Sequence, residues 1–224
     1  MTAESPDEPL RCPILYYHET FGQAAFEAQL VTFLANSYQP ITLGKLVSLL
    51  ETQQPAPPGC LVLTFDDGLA SQVTGAVPVL ARYLVPATFF VMPAFQDGVH
   101  RYMTPQDFTT LRDLGFEVSS HTMNHASLPA LRRLNFGAFL AELAVSRREL
   151  ESLLQQPVRL LAYPYGTWDL GTAAEVERLG YRAAVSTMPG ALHRPSERYW
   201  LRRIAVNPWE APGKVVARIG APAR

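Results

Sequence analysis

Leu61-Val62-Leu63-Thr64-Phe65-Asp66-Asp67-Gly68 is the stretch on which the fold turns. Its first five residues form a short, mostly apolar run, as expected of a strand buried on both faces of a parallel sheet. The run stops abruptly at two adjacent carboxylates. Neighbouring carboxylates repel each other unless a cation or a proton stands between them. Gly68 lets the chain turn away at once, so both side chains can face one cleft. Taken alone, the same residues also read as an Asp helix N-cap beside a solvated neighbour.

Outward from this strand, extended and helical patterns alternate. Residues 13–18 (PILYYH) are β-branched and aromatic and read as a strand. Phe26, Leu30, Phe33 and Leu34 recur at helical spacing, and Thr42 is placed to N-cap a second helix through Leu50. Residues 53–59 are a Pro-rich loop. Beyond Gly68 a helix is expected to about Leu84, then a strand over 87–92. Helices follow over 104–114, 136–154 and 172–179, the first and last closed by Gly115 and Gly180. Strands are expected over 116–120, 159–162, 181–186 and 201–206. About seven strands, most separated by helices, predict a single parallel α/β layer structure. An incomplete (β/α) barrel and a doubly wound open sheet both satisfy this pattern.

The composition narrows the partners. A chain of 224 residues with 48% hydrophobic content supports one sizeable core. The net charge is −1 and there is no basic run, so nothing invites nucleic acid. No apolar stretch approaches membrane-spanning length, and the polar, acidic start lacks the pattern of a secretory signal. As given, the chain is expected in the cytoplasm, with export open if the chain is trimmed. Cys12 and Cys60 lie outside any CxxC pair and read as small buried side chains, with a disulfide between them left open. Residues 1–12 read as a flexible head, 13–210 as the domain and 211–224 as a tail.

Reactive side chains fall at predicted strand ends. His18 ends the first strand, Asp66 and Asp67 the second, His121 the fourth with His125 just beyond, and Tyr163-Pro164-Tyr165 the fifth. Active sites of parallel α/β folds collect at this rim. His121 and His125 stand four apart, close enough to share one face of a turn. With one carboxylate they supply the three protein ligands of a catalytic zinc-type site. In Tyr163-Pro164-Tyr165-Gly166 the proline fixes the backbone and the glycine permits a positive φ, which suits a rigid backbone donor for an oxyanion, or simply a structural turn.

Together these segments resemble the polysaccharide deacetylase family, also called carbohydrate esterase family 4 or the NodB homology domain. Thr64-Phe65-Asp66-Asp67-Gly68 looks like its first motif, His121-Thr-Met-Asn-His125 like its second, and Ala162-Tyr163-Pro164-Tyr165-Gly166 like its third. The resemblance runs from about Ile14 to Leu201. It implies a distorted (β/α)7 barrel in a single domain that removes acetyl groups from N-acetylglucosamine units of a carbohydrate. Asp66 would be the general base. Asp67, His121 and His125 would hold a divalent metal, zinc first, with cobalt or nickel as substitutes. Tyr165 would offer its backbone N–H to the oxyanion, and Leu128 would line the pocket for the acetyl methyl. Tyr163, Pro164, Tyr165 and Trp168 would contact substrate, with Trp168, Tyr165 and Trp200 equally readable as core aromatics.

The chain departs from the family pattern at three places. Ala162 stands where many members carry an arginine that orients the base, and Arg202 or Arg203 on the last strand is a substitute. The fourth motif, an Asp-Trp pairing, is not evident. The late strand ends in Asn207 rather than in the histidine that would supply the general acid, which leaves His193 and His18 as candidates. The Tyr-Pro-Tyr-Gly turn and the YYH strand look like the branch acting on poly-β-1,6-N-acetylglucosamine. The departures also motivate two rivals, a relative hydrolysing a small cyclic amide or imide and a non-catalytic carbohydrate-binding relative.

Overall fold

The computed structural model describes residues 7–20, 22–95 and 101–222. The chain enters through β1 (Leu10–Arg11) and β2 (Ile14–Tyr17), followed by α1 (Gln23–Ala35), β3 (Gln39–Ile41), α2 (Leu43–Thr52) and β4 (Cys60–Phe65). Helices α3 (Ala70–Thr74) and α4 (Ala76–Arg82) lead to β5 (Thr88–Val91), and α5 (Pro105–Asp113) leads to β6 (Glu117–Ser120). Then come α6 (Leu128–Leu134), α7 (Phe136–Leu154), β7 (Leu160–Ala162), α8 (Leu170–Arg178) and β8 (Ala183–Val185). The short strands β9 (Leu192–His193) and β10 (Ile204–Ala205) and the helix α9 (Pro212–Ile219) complete it.

The main sheet is parallel in the order β10-β2-β4-β5-β6-β7-β8, with β3 pairing beside β4. One segment closes it. Leu201 bridges Val185 of β8 in parallel, while Ile204 and Ala205 pair with Leu15 and Tyr16 of β2. The expected distorted (β/α)7 barrel is therefore what forms, and the open doubly wound sheet is not.

Side-chain alternation along β4 sets up everything at the rim. All six of its residues are buried. Leu61, Leu63 and Phe65 face the helix layer, in one cluster with Phe26, Leu30 and Leu80. Cys60 and Val62 point the other way, into the barrel, with Ile14, Phe90, Ala162 and Leu201. A period of two therefore puts Thr64 and then Asp66 in the same inward row. Helix α2 packs Leu43, Leu46, Val47 and Leu50 against this interior cluster. On the outer side, Tyr17, Phe65 and Phe89 stack across three adjacent strands at 5.3 and 4.8 Å. Such pairs add about 0.5–1.5 kcal/mol each beyond the area they bury.

Local signals behave largely as read. The Thr42 side chain accepts from Lys45 N–H and caps α2. Gly115 and Gly180 carry left-handed φ of 83° and 84° just past α5 and α8. The helix expected after Gly68 is split at Gly75 into α3 and α4. Helix α8 starts two residues earlier than its apolar pattern, because the Asp169 side chain caps it by accepting from Thr172 N–H at 2.7 Å. The two terminal assignments need correction. Of residues 1–12, the first six lie outside the described residues. Leu10 and Arg11 pair with β9, and Cys12 is bonded to Cys60 with the Cα atoms 4.9 Å apart. Of residues 211–224, read as a C-terminal tail, the last two lie outside the described residues, and α9 buries Val215 and Ile219 in the helix-side core. Among the described residues no helix is long and apolar enough to cross a membrane.

Candidate active site

Asp66 is the last member of the inward row of β4 and is 2% exposed. It is gripped by Arg203, whose Nη1 and Nη2 each donate to one carboxylate oxygen at 2.7 Å. Arg203 is itself buried. It also donates to Thr64 Oγ1 at 3.1 Å and, through Nε, to Ser186 O at 2.8 Å, and its Cζ lies 4.5 Å over the Tyr16 ring. Burial alone would push the Asp66 carboxyl up. The Arg203 charge and hydrogen bonds, with His121 and His18 behind them, outweigh that and hold it below the ordinary value. Of the two arginines offered by the last strand, it is Arg203 that holds Asp66.

Asp67 leaves the strand in a left-handed conformation, φ 71°, followed by Gly68 at 62°. That turn is why adjacent carboxylates have separate neighbours: Asp66 faces Arg203, and Asp67 faces the two histidines. Asp67 Oδ1 stands 3.2 Å from His121 Nε2 and 3.5 Å from His125 Nε2. It is buried and has no hydrogen-bond partner. His121 Nδ1 lies 2.8 Å from Ala162 O. A carbonyl can only accept, so Nδ1 carries a proton and Nε2 is the nitrogen left to face Asp67. His125 is held below its ordinary value by burial first and by the neighbouring His121, which favours its neutral form. Three electron-rich atoms within 4.8 Å of one another then face a common point. A cation satisfies all three, and the donor set of two imidazoles and a carboxylate fits zinc or a similar divalent metal.

The Tyr163-Pro164-Tyr165-Gly166 turn closes one side of this cleft. Tyr165 has φ 59° and Gly166 φ 66°, and a Cβ on Gly166 would collide with the Thr187 side chain, so that position needs glycine. The Tyr165 side chain is 63% exposed, and its ring lies edge-on to His125 at 4.6 Å. His18 is exposed at the end of β2, and Gln72 donates to both its carbonyl and that of Asp66, which puts it at the same mouth.

Other predicted residues go elsewhere. His193 sits on β9, fully buried, with Nε2 bonded to Cys12 O at 2.9 Å. Cys12 is tied to Cys60 at the start of β4, whereas Asp66 follows its end, a strand length of roughly 20 Å away. His193 is therefore at the opposite end of the barrel from the rim, a consequence of the β1–β9 pairing. Tyr163 is also no surface contact: its ring is fully buried and its hydroxyl donates to Tyr199 O at 2.8 Å. Pro164 is buried, and Leu128 packs in the cluster with Phe139, Leu143 and Tyr163. Trp168 is half-buried and stacks on Trp200, ring centroids 4.6 Å apart and planes within 5°.

Two supporting residues were not anticipated from sequence. Gln72 of α3 donates to His18 O at 2.8 Å and to Asp66 O at 2.6 Å, tying together the exits of β2 and β4. Glu142 of α7 binds the loop between His121 and His125. The available signal was a polar residue on a buried helix face, visible for Glu142 between Phe139 and Ser146.

Comparison with known proteins identifies the family. The family model described as polysaccharide deacetylase matches residues 53–184. The protein YxkH of Bacillus subtilis (strain 168) is 30% identical over 210 residues, covering 90% of this chain and 74% of its own length. The poly-beta-1,6-N-acetyl-D-glucosamine N-deacetylase of Staphylococcus aureus (strain MRSA252) is 21% identical over 196 residues, 83% of this chain and 67% of that protein. Among solved structures, the Streptococcus pyogenes deacetylase PplD in complex with acetate superposes with a TM-score of 0.83 at 23% identity, covering 95% of this chain and 99% of that one, a likeness of fold. The family match and the similarity to YxkH run through the strands that carry Asp66, Asp67, His121 and His125, and the chain belongs to the polysaccharide deacetylase family.

Proposed function

We propose that this chain hydrolyses the N-acetyl group of N-acetylglucosamine units in a poly- or oligosaccharide, using a divalent metal, zinc first, held by Asp67, His121 and His125. The observation that carries the reading is the orphaned Asp67 Oδ1 facing both imidazole Nε2 atoms, with Asp66 fixed beside it by Arg203. A divalent ion bound there supplies Lewis-acid polarisation of the amide carbonyl and an acidified water. Asp66 accepts the proton of the attacking water, and the Arg203 fork keeps its carboxylate ionised and aimed. The Tyr165 N–H, on its rigid turn, donates to the oxyanion that develops at the acetyl carbonyl. His18, on the rim, donates the proton that the departing amine nitrogen needs as the C–N bond breaks and acetate leaves. The exposed Tyr165 ring and the edge of the Trp168–Trp200 stack offer apolar faces for sugar rings.

The similarity to the S. aureus enzyme makes a β-1,6-linked N-acetylglucosamine oligomer the first substrate to supply. The Cys12–Cys60 disulfide favours an oxidising compartment over the cytoplasm as the place of action. Acetate release from such oligomers should appear with zinc, stop with a chelator and return on zinc addition. Asp66→Asn should lower the rate by about 10²–10⁴-fold while zinc still binds. A zinc-loaded wild type that releases no acetate, or an Asp66→Asn variant at wild-type rate, would refute the assignment.

A further inference from the structure

The two histidine ligands are not held equally. His121 is anchored by its own backbone N–H to Val91 O at 2.9 Å and by Nδ1 to Ala162 O. Among the described residues, the ring contacts of His125 are with His121 and Tyr165, and its side chain has no hydrogen-bond anchor like that of His121 Nδ1. The connecting loop is also in uncommon backbone territory. Thr122 has φ 66° and His125 has φ 56°, left-handed values that a β-branched residue in particular rarely adopts. Such conformations persist only where the surroundings over-determine them.

The surroundings here are helix α7. Its buried face runs through Phe139, Glu142, Leu143, Ser146 and Leu150. A carboxylate on such a stripe must find donors. Glu142 finds three, all in the loop. Its Oε2 accepts Met123 N–H at 3.0 Å and Asn124 N–H at 2.8 Å, and its Oε1 accepts Asn124 Nδ2–H at 2.8 Å. One turn along the helix, Ser146 Oγ lies 2.7 Å from Ser120 Oγ, which in turn accepts Thr122 N–H at 3.1 Å. The stretch between the two left-handed residues is therefore fastened to α7 mainly through one carboxylate.

We infer that Glu142 is a positioning residue for the metal site, acting through His125: it clamps Met123 and Asn124 so that His125 Nε2 reaches Asp67 Oδ1. The inference rests on the proposed metal site. Removing the clamp leaves two amides without partners and frees the loop to relax out of its left-handed turns. His121, with its own anchors, stays in place, and His125 drifts from Asp67.

Zinc affinity, measured by competition with a chromophoric chelator, tests this independently of turnover. Glu142→Ala should weaken zinc binding by about 10–100-fold, the range seen for supporting partners of metal ligands. Glu142→Gln should stay within about threefold of wild type, because its oxygen can accept both backbone N–H groups and its amide can donate to a flipped Asn124 side chain. In a His125→Ala background Glu142→Ala should add less than about threefold, since the ligand it serves is already gone. A folded Glu142→Ala with wild-type affinity overturns the inference. So do a Gln variant as weak as the Ala variant, and losses that multiply in the His125→Ala background. If Glu142→Ala does not fold by circular dichroism, Glu142→Asp, a methylene too short, should show the same loss, and wild-type affinity there overturns the inference equally. His121→Ala separates the two readings: if it binds zinc like wild type the metal site itself is wrong, and if it abolishes binding while Glu142→Ala keeps wild-type affinity, only the role of Glu142 fails.

Discussion

Replacing Arg203 by methionine should uncouple the stability and the chemistry of the rim in a measurable way. The Arg203 and Asp66 side chains are 0% and 3% exposed and share two hydrogen bonds of 2.7 Å. Methionine fills similar volume but leaves the Asp66 charge buried and unpaired, a loss of about 3–5 kcal/mol. The melting entropy of proteins is about 2.1 cal/mol/K per residue, or roughly 0.5 kcal/mol/K for 224 residues, so the melting temperature should fall by about 6–10 °C. Asp66→Asn on top of Arg203→Met should recover part of that loss, because the orphaned charge has gone. The two changes should therefore couple by about 2–3 kcal/mol rather than add. Thermal denaturation of the four proteins at neutral pH by circular dichroism, with and without zinc, measures all of these quantities. Arg203→Met should also lose deacetylation, its Asp66 being neither aimed nor held ionised. An Arg203→Met protein melting within about 2 °C of wild type, or a double variant whose loss is the plain sum, would refute the view that this pair is tightly coupled.

Two further outcomes concern the far end of the barrel. Burial, with a smaller push from Arg202, holds His193 down to about 4 from its ordinary 6.5 even though Cys12 O accepts its hydrogen bond. The unfolded chain then binds a proton that the folded chain refuses between these values. His193 should thus cost nothing above pH 6.5 and remove about 3 kcal/mol as pH falls to 4. Melting temperatures across that window should fall less steeply in His193→Gln than in wild type, and parallel curves would contradict this. The Cys12–Cys60 disulfide closes a loop of sequence separation 48, for which chain entropy gives about 4 kcal/mol. Reduction, or Cys12→Ser with Cys60→Ser, should lower the melting temperature by roughly 8 °C. Protein with two free thiols under non-reducing conditions, or with unchanged melting after verified reduction, would refute it.

Much of the site was legible because the signals are local. A six-residue buried strand ending in two carboxylates, a pair of histidines four apart at another strand end, and a Pro-Tyr-Gly turn each declare themselves within a few residues. The misreadings share a cause. His193 looked like a rim residue because a loop near the last strand could double back in either direction, and only the pairing of β9 with β1 shows which. Tyr163 looked like a substrate contact because the turn is at the rim, but a hydrogen bond to Tyr199 draws its ring into the core. The C-terminal segment looked like a tail because its apolar face is short, and its order comes from packing against α1 and the helix-side core.

Taken alone, the sequence determined the parallel α/β alternation, the strand ends that carry Asp66, Asp67, His121 and His125, and several helix caps. Strand periodicity, turn chemistry and capping are set by neighbours in the chain, so they can be read without coordinates. Tertiary structure decided that the guanidinium orienting Asp66 comes from Arg203, 137 residues away, once the last strand closes the barrel. It also decided that Asp67 turns left-handed away from Asp66, that Glu142 fastens the histidine loop, and that Cys12 and Cys60 meet. The Arg203, Glu142 and disulfide contacts each join separated segments, and only the folded barrel brings such segments within bonding distance.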